Sequence, residues 1–383
     1  MARFALLVLA AILYGSLYPF DFRAAGGLGG ALDHLLGAWP ARSSLPDLLA
    51  NVLLYMPFGA ALAAIAAPRA GRIAAIVAAA AAASVVATAV ELAQHFLPTR
   101  VVNPVDVLSN VAGSAIGALA GLVLARMPGR PALFAVDDRL AILLAAAWVA
   151  DRLWPFVPTL DVQQIKDALK PLLLRPVIEP PEVLRHLACG YGFALLLRAG
   201  LPGLATRSRV LVAVLAVPCL AVFAQGRTLT ASAALGAVLA AAFWLASAPR
   251  EGRGPERILA ALMATAVLAV GLAPYEFAGP PRAFGWLPFS AFVGGTLLAA
   301  SAAFIAKSYL FGTLVWSLAR SGLPPLAAGL GAACLLGAIG WAQTWLPGRS
   351  AGITDAVIAL GFAAAVAFLR EPAPTRDHGA QRR

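Results

Sequence analysis

Ile73–Phe96, IAAIVAAAAAASVVATAVELAQHF, is the stretch whose reading decides the fold. A helix crossing the hydrocarbon core of a bilayer needs about 20 mostly apolar residues, and this stretch supplies them with Glu91 as its one charged side chain. It is apolar on every face, so as a helix it must be surrounded by lipid or by other helices rather than by water. Comparable stretches run over Phe4–Phe20, Pro46–Ala67, Val105–Ala125, Leu140–Phe156, Val183–Leu197, Val210–Gln225, Leu229–Ala246, Ile258–Ala273, Ala299–Leu318, Pro325–Leu346 and Ile353–Leu369. The length criterion therefore predicts an all-α, polytopic transmembrane bundle of about 12 helices.

Composition supports this. The 383-residue chain is 61% hydrophobic and 12% charged, with a mean hydropathy of +0.83, whereas a soluble domain carries roughly 25% charged residues. That excludes a soluble enzyme. The net charge of +11 comes largely from arginines between apolar runs, such as Arg69 and Arg72, or Arg250, Arg253 and Arg257. No basic stripe interleaved with aromatics accompanies them, so no nucleic-acid partner is expected. Cys189, Cys219 and Cys334 lie inside apolar runs and read as small packing residues. Phe4–Leu17 reads as an uncleaved first helix.

Arginine placement sets an orientation. With an even number of spans, Arg126, Arg130 and Arg139, then Arg198, Arg207 and Arg209, then Arg250, Arg253 and Arg257, share one side with the tail beyond Arg370. Both termini are expected to be cytoplasmic. The segment Arg152–Arg185, with Lys166 and Lys170, runs against this pattern. A separate span or re-entrant segment at Ser290–Ile305 would move the C-terminus across the membrane.

The chain also repeats itself. Ala93–Arg100, AQHFLPTR, recurs as Ala342–Arg349, AQTWLPGR, and an aspartate follows at the same distance in both, Asp106 and Asp355. Ala224-Gln225-Gly226-Arg227 is a weaker copy. First helices end in Tyr18-Pro19-Phe20, Trp154-Pro155-Phe156 and Tyr275-Glu276-Phe277, and second helices open with Asn51, Arg185 and Lys307. Three parallel four-helix repeats are expected, at 1–130, 131–250 and 251–370, followed by a disordered cytoplasmic tail at 371–383.

The first repeat resembles the VanZ-like family of bacterial membrane proteins. The resemblance is carried by Tyr18-Pro19-Phe20-Asp21-Phe22, by Asp47 and Asn51–Gly59, and by Glu91-x-x-Gln94-x-Phe96-x-Pro98-x-Arg100-x5-Asp106-x-x-x-Asn110-x-x-Gly113. It covers about the first 125 residues, and Leu287-Pro288-Phe289 in the third repeat is in the same style. The family takes its name from a protein linked to resistance to a glycopeptide antibiotic. The resemblance thus implies a membrane protein of the cell envelope, with membrane lipids, an envelope lipid or an antibiotic as partners, and supplies no mechanism.

Glu91 is the most informative residue, because a carboxylate within a span is costly unless it faces the bundle interior. Gln94 and His95 follow at helical i+3 and i+4, Asp106 and Asn110 share a face of the next helix, and Arg100 lies between the two helices. Glu91, Gln94, Arg100, Asp106 and Asn110, with Asn51 and Asp21, are the candidate pocket residues. One reading has Arg100 gripping a phosphate or carboxylate, with Glu91 or Asp106 moving a proton. The other has Arg100 pairing with Asp106 or Glu91 to brace the hairpin. In the third repeat the positions of Glu91 and Asn110 hold Gly340 and Ala359, while Gln343, Arg349 and Asp355 are kept. No metal is expected from Glu91 and His95 alone, and no cofactor is implied. Binding protein, membrane-embedded enzyme on a lipid-linked phosphate or sugar, and secondary transporter all remain open at this point.

Overall fold

The computed structural model describes residues 2–18, 20–23, 26–39, 43, 45–124, 138–247, 252–277, 279–293 and 297–369. The expected tail at 371–383 and the arginines at 126 and 130 lie outside them. Every described element is helical apart from two isolated bridges. The chain divides into two compact units, residues 1–129 and 130–383.

In the first unit, α1 (Ala2–Leu17), α3 (Leu45–Ala70), α4 (Arg72–Gln94) and α5 (Pro104–Leu124) pack together, and α2 (Gly27–Gly37) lies against α4. On α4, Ala75, Ala79, Ala83 and Ala87 recur every fourth residue and are fully buried. The opposite side presents Ile73, Val77 and Val85, which are 80%, 61% and 71% exposed. Small residues inside and branched apolar ones outside are what a helix needs when its outer neighbour is lipid. The tightest contact is between α3 and α5, which run parallel. A Cβ on Gly113 would lie 2.3 Å from the Val52 carbonyl oxygen, and one on Gly117 1.9 Å from that of Met56. Only glycine allows the two backbones so close.

The second unit holds α6 (Arg139–Leu153), α7 (Val162–Leu173), α8 (Pro180–Gly200), α9 (Arg207–Leu220), α10 (Ala231–Ser247), α11 (Gly254–Leu272), α12 (Ser290–Val293), α13 (Leu297–Arg320), α14 (Pro325–Ala342) and α15 (Thr354–Leu369). Helices α6, α8, α11 and α13 close a ring, each touching the next. Its interior is aromatic: Trp148 stacks on Phe193 at 4.3 Å between centroids, and Tyr309 donates to the Cys189 carbonyl at 2.5 Å. The Asp138 carboxylate caps α6 at the Ala141 N–H and accepts from Trp316 Nε1 at 2.8 Å, joining α6 to α13.

The described helices cover all of the twelve predicted stretches and add three shorter ones, α2, α7 and α12, each between the first and second long helix of a set. Their sequences are too short or too polar to register as spans. Helix α7 lies within the segment that runs against the charge pattern. It is amphipathic, with Ile165, Ala168, Leu169 and Leu172 packed on Val222 and Leu229. Its charges face outward, where the Lys170 ammonium holds the Asp167 carboxyl below the usual carboxylate range. At Ser290–Ile305 there is no separate span among the described residues; the stretch divides between α12 and the start of α13. Among the described residues, six helices are long and apolar enough to cross a membrane: those spanning Asp47–Ala70, Arg72–Gln94, Pro104–Val123, Gly254–Leu272, Ala299–Arg320 and Pro325–Trp345. Helices α1, α10 and α15 are apolar but shorter, and α8 carries Glu182, Arg185, His186 and Arg198. The cysteines divide too: Cys189 is buried, whereas Cys219 and Cys334 are exposed on the helix surface.

The α3–α5 contact generates a paired test. Gly117→Ala should lower stability by about 2 kcal/mol or more, since overpacking here must displace backbone. Gly331→Ala, whose Cβ would meet nothing within 4 Å, should leave it unchanged or raise it by up to about 1 kcal/mol. Thermal unfolding of the purified protein in detergent measures both.

Candidate functional site

The three residues Glu91, Gln94 and His95 were expected to share a face of α4. They lie at the last turn of α4, with His95 still bonding its N–H to the Glu91 carbonyl, and each meets a different neighbour. His95 Nδ1 lies 3.0 Å from His34 Nδ1 of α2. Gln94 Nε2 donates to the Ser16 carbonyl of α1 at 2.9 Å. Glu91 alone turns inward, 2% exposed, and its Oε2 accepts from the Asn103 N–H at 2.8 Å.

Arg100 pairs with neither acid. Its Nε donates to the Tyr18 carbonyl at 3.3 Å and its Nη2 to the Gly15 carbonyl at 2.8 Å. Helix C-termini leave their last carbonyls without partners, and a guanidinium offers donors in a fork that suits two of them. The same joint occurs twice more. Arg227 donates to the Trp154 and Asp151 carbonyls at 2.7 and 2.6 Å. Arg349 donates to those of Ala273 and Val270 at 2.8 and 2.9 Å, with Gln343 on Gly271 at 2.9 Å. These bonds also correct two alignments. The counterpart of Tyr18-Pro19-Phe20 is Ala273-Pro274-Tyr275, two residues before the Tyr275-Glu276-Phe277 expected from the sequence. The counterpart of Gln94 in the middle set is Ala221, not Gln225, because the Ala224 N–H bonds the Ala221 carbonyl as Leu97 bonds Gln94 and Leu346 bonds Gln343. Phe20, Phe156 and Tyr275 have φ of 66°, 63° and 67°, so each first helix is followed by the same left-handed turn.

What surrounds Glu91 is a relay of polar side chains. Asn103 Nδ2 donates to Ser43 Oγ at 2.5 Å, and Ser43 Oγ donates to Asp106 Oδ1 at 3.1 Å. Asn51 also hydrogen-bonds the Asp106 carboxyl. Asn103 Oδ1 accepts from the Val105 N–H at 3.0 Å, turning the chain into α5. Tyr55 on α3 is in electrostatic range of Glu91. Tyr55 Oη and Asn110 Oδ1 are buried with no hydrogen-bond partner. The structure thus joins Glu91, Asp106 and Asn51 through Asn103 and Ser43, which sequence reasoning missed. Asn103 was hidden because its backbone N–H, which no residue pattern reports, makes the key contact. Asp21 stands apart, in an exposed pair with Arg23 at 2.9 Å.

The other copies hold different chemistry here. Asp355 pairs with Lys307 at 2.5 Å, where the first unit has Asp106 with Asn51. Gly340 replaces Glu91, and a Cβ there would meet the Gly352 carbonyl oxygen at 2.8 Å. The backbone of the connection before α15 thus leaves no room for a side chain at Gly340. Among the described residues, no group of three His, Cys, Asp or Glu is placed to hold a metal ion.

Residues 5–125 match the family described as VanZ/LLP1, so the chain carries a VanZ-like region that coincides with α1–α5. No curated protein and no solved structure matches the chain.

The joint predicts a specific defect. Arg100→Ala and Arg100→Lys should both lose the paired carbonyl bonds, at a cost of about 2 kcal/mol for the alanine variant. Hydrogen exchange should quicken at residues 14–22 while α5 keeps its protection. Unchanged exchange at the end of α1 would refute the capping role.

Proposed function

Starting from a chain that is VanZ-like over its first unit, we propose that it is a multi-pass protein of the bacterial inner membrane that binds an envelope molecule, a lipid-linked sugar or a glycopeptide-type antibiotic, at the polar ends of α3, α4 and α5. In this reading those ends face outward, both termini are cytoplasmic, and the three sets of four long helices are parallel repeats. The carrying observation is a pair of buried atoms without a hydrogen-bond partner among the described residues, Asn110 Oδ1 on α5 and Tyr55 Oη, the latter in electrostatic range of the buried Glu91 carboxylate. Native proteins seldom leave such groups unsatisfied, and a ligand or ordered water is the usual partner. The three recurring joints support the repeats.

The site's chemistry narrows the ligand. The carboxylates of Glu91 and Asp106 and the unpartnered Asn110 Oδ1 are acceptors, and Arg100 has Nε and Nη2 committed at α1. A phosphate held bidentately by the fork of Arg100 therefore does not fit, since only Nη1 is left. Hydroxyl or amino groups, as on a sugar or a glycopeptide, do. A membrane-embedded enzyme is the second reading, favoured by the single buried Glu91 as a proton acceptor. A transporter fits less well, because its polar groups would cluster near the midplane rather than at helix ends.

Substitution at Glu91 tests this. Glu91→Gln should accumulate in the membrane and lose at least about tenfold in ligand affinity or resistance phenotype, about 1.4 kcal/mol. Glu91→Ala, which leaves the Asn103 N–H unpaired, should also be less stable. If Glu91→Gln keeps the full phenotype, the carboxylate is not part of the site. Reporter fusions at Arg3 and beyond Arg370 should both report the cytoplasm; opposite sides would overturn the even-span topology.

A further inference from the structure

We propose that the second unit contains an anion site, independent of the site above, that takes a phosphate or diphosphate group. A cavity of about 460 Å³ lies between the N-terminal ends of α8 and α10, the end of α7 and the loop before Thr228. Arg152, Arg175, Arg185 and Arg227 all line it, against Glu179 and Glu182. This convergence sits in a chain with only 12% charged residues.

The arginines differ in what they have left to give. Arg185 is engaged by Glu182, with Nε and Nη2 on the same carboxylate oxygen at 2.8 and 2.6 Å. Arg227 has Nε and Nη2 committed to the carbonyls at the end of α6, which leaves its Nη1. Arg175 is exposed and makes no ion pair among the described residues. Arg152 is the telling one. Its side chain is 16% exposed, the nearest carboxylate, Asp151, is 3.5 Å from Nε, and that Nε is buried with no hydrogen-bond partner. A buried guanidinium donor without an acceptor is costly, and an anionic oxygen in the cavity would relieve it.

Phosphate chemistry fits better than a single carboxylate. The guanidinium fork matches phosphate oxygens bidentately, and donors arrive from more than one side. Thr228 and Thr230 add hydroxyls to the lining. Ser232 and Ala233, in the first turn of α10, also line the cavity. A bare phosphate would leave much of the cavity empty, so a diphosphate or a phosphate carrying a headgroup suits it. The source can be a lipid headgroup or a free phosphate compound; the shared chemistry is the phosphate. The equivalent place in the third set holds the Lys307–Asp355 pair, already neutralised, so the site belongs to the middle set.

The full chain in phosphatidylcholine nanodiscs is titrated with inorganic diphosphate, and in parallel is reconstituted with phosphatidic acid and analysed by native mass spectrometry for retained lipid. Arg175→Gln and Arg152→Gln are compared with the wild type; Arg175 is exposed, so its variant keeps the test open if Arg152→Gln does not fold. Diphosphate binding weakened about tenfold or more in the variants identifies a free phosphate compound. Retention of phosphatidic acid over phosphatidylcholine, lost in the variants and without diphosphate binding, identifies a lipid headgroup. Absence of both, or binding equal in wild type and Arg175→Gln, overturns the proposal.

Discussion

Everything in this fold is arranged around one demand of an apolar medium: a helix that ends there must give its last carbonyls a partner. Unpaired backbone groups cost several kcal/mol away from water. Arg100, Arg227 and Arg349 meet that demand in the same way, each reaching from the end of a third long helix to two carbonyls at the end of a first one. Because the guanidinium is positive and the helix C-terminus is negative, dipole and hydrogen bonds act in the same direction. The chain between these ends can then hold other polar groups in place, including Asn103 and Ser43 beside Glu91.

The same relative position has been filled with three chemistries. The first unit has a relay rich in acceptors, running from Glu91 to Asp106. The middle set has a cavity rich in arginine donors. The third has a closed ion pair between Lys307 and Asp355. Similar helix ends thus carry a buried carboxylate network, an arginine-lined cavity and an ion pair, depending on a few side chains.

Sequence alone made much of this legible. Stretches of apolar residues located all of the long helices, and Glu91 stood out as a charge with nowhere polar to go except inward. Arg100 was misread for a physical reason: side-chain patterns suggest side-chain partners, and its partners are carbonyls that every residue possesses. The separate partners of Glu91, Gln94 and His95 were equally invisible, because helical spacing says which residues neighbour one another and not which of α1, α2 and the chain before α5 each one meets. Asn110 was read as a specific site residue from its location, but only the structure shows its oxygen without a partner. The short helices α2, α7 and α12 were missed because none is long and apolar enough to resemble a span.

The arginine joint also bears on how such a chain can drift. A carbonyl socket is blind to the side chains around it: Tyr18, Trp154 and Ala273 serve equally as acceptors for Arg100, Arg227 and Arg349. The receiving helix is therefore released from constraint on its own letters, and only the arginine must be kept in register. Three stretches of different sequence can thus dock alike, because the bond that joins them reads backbone and not side chains.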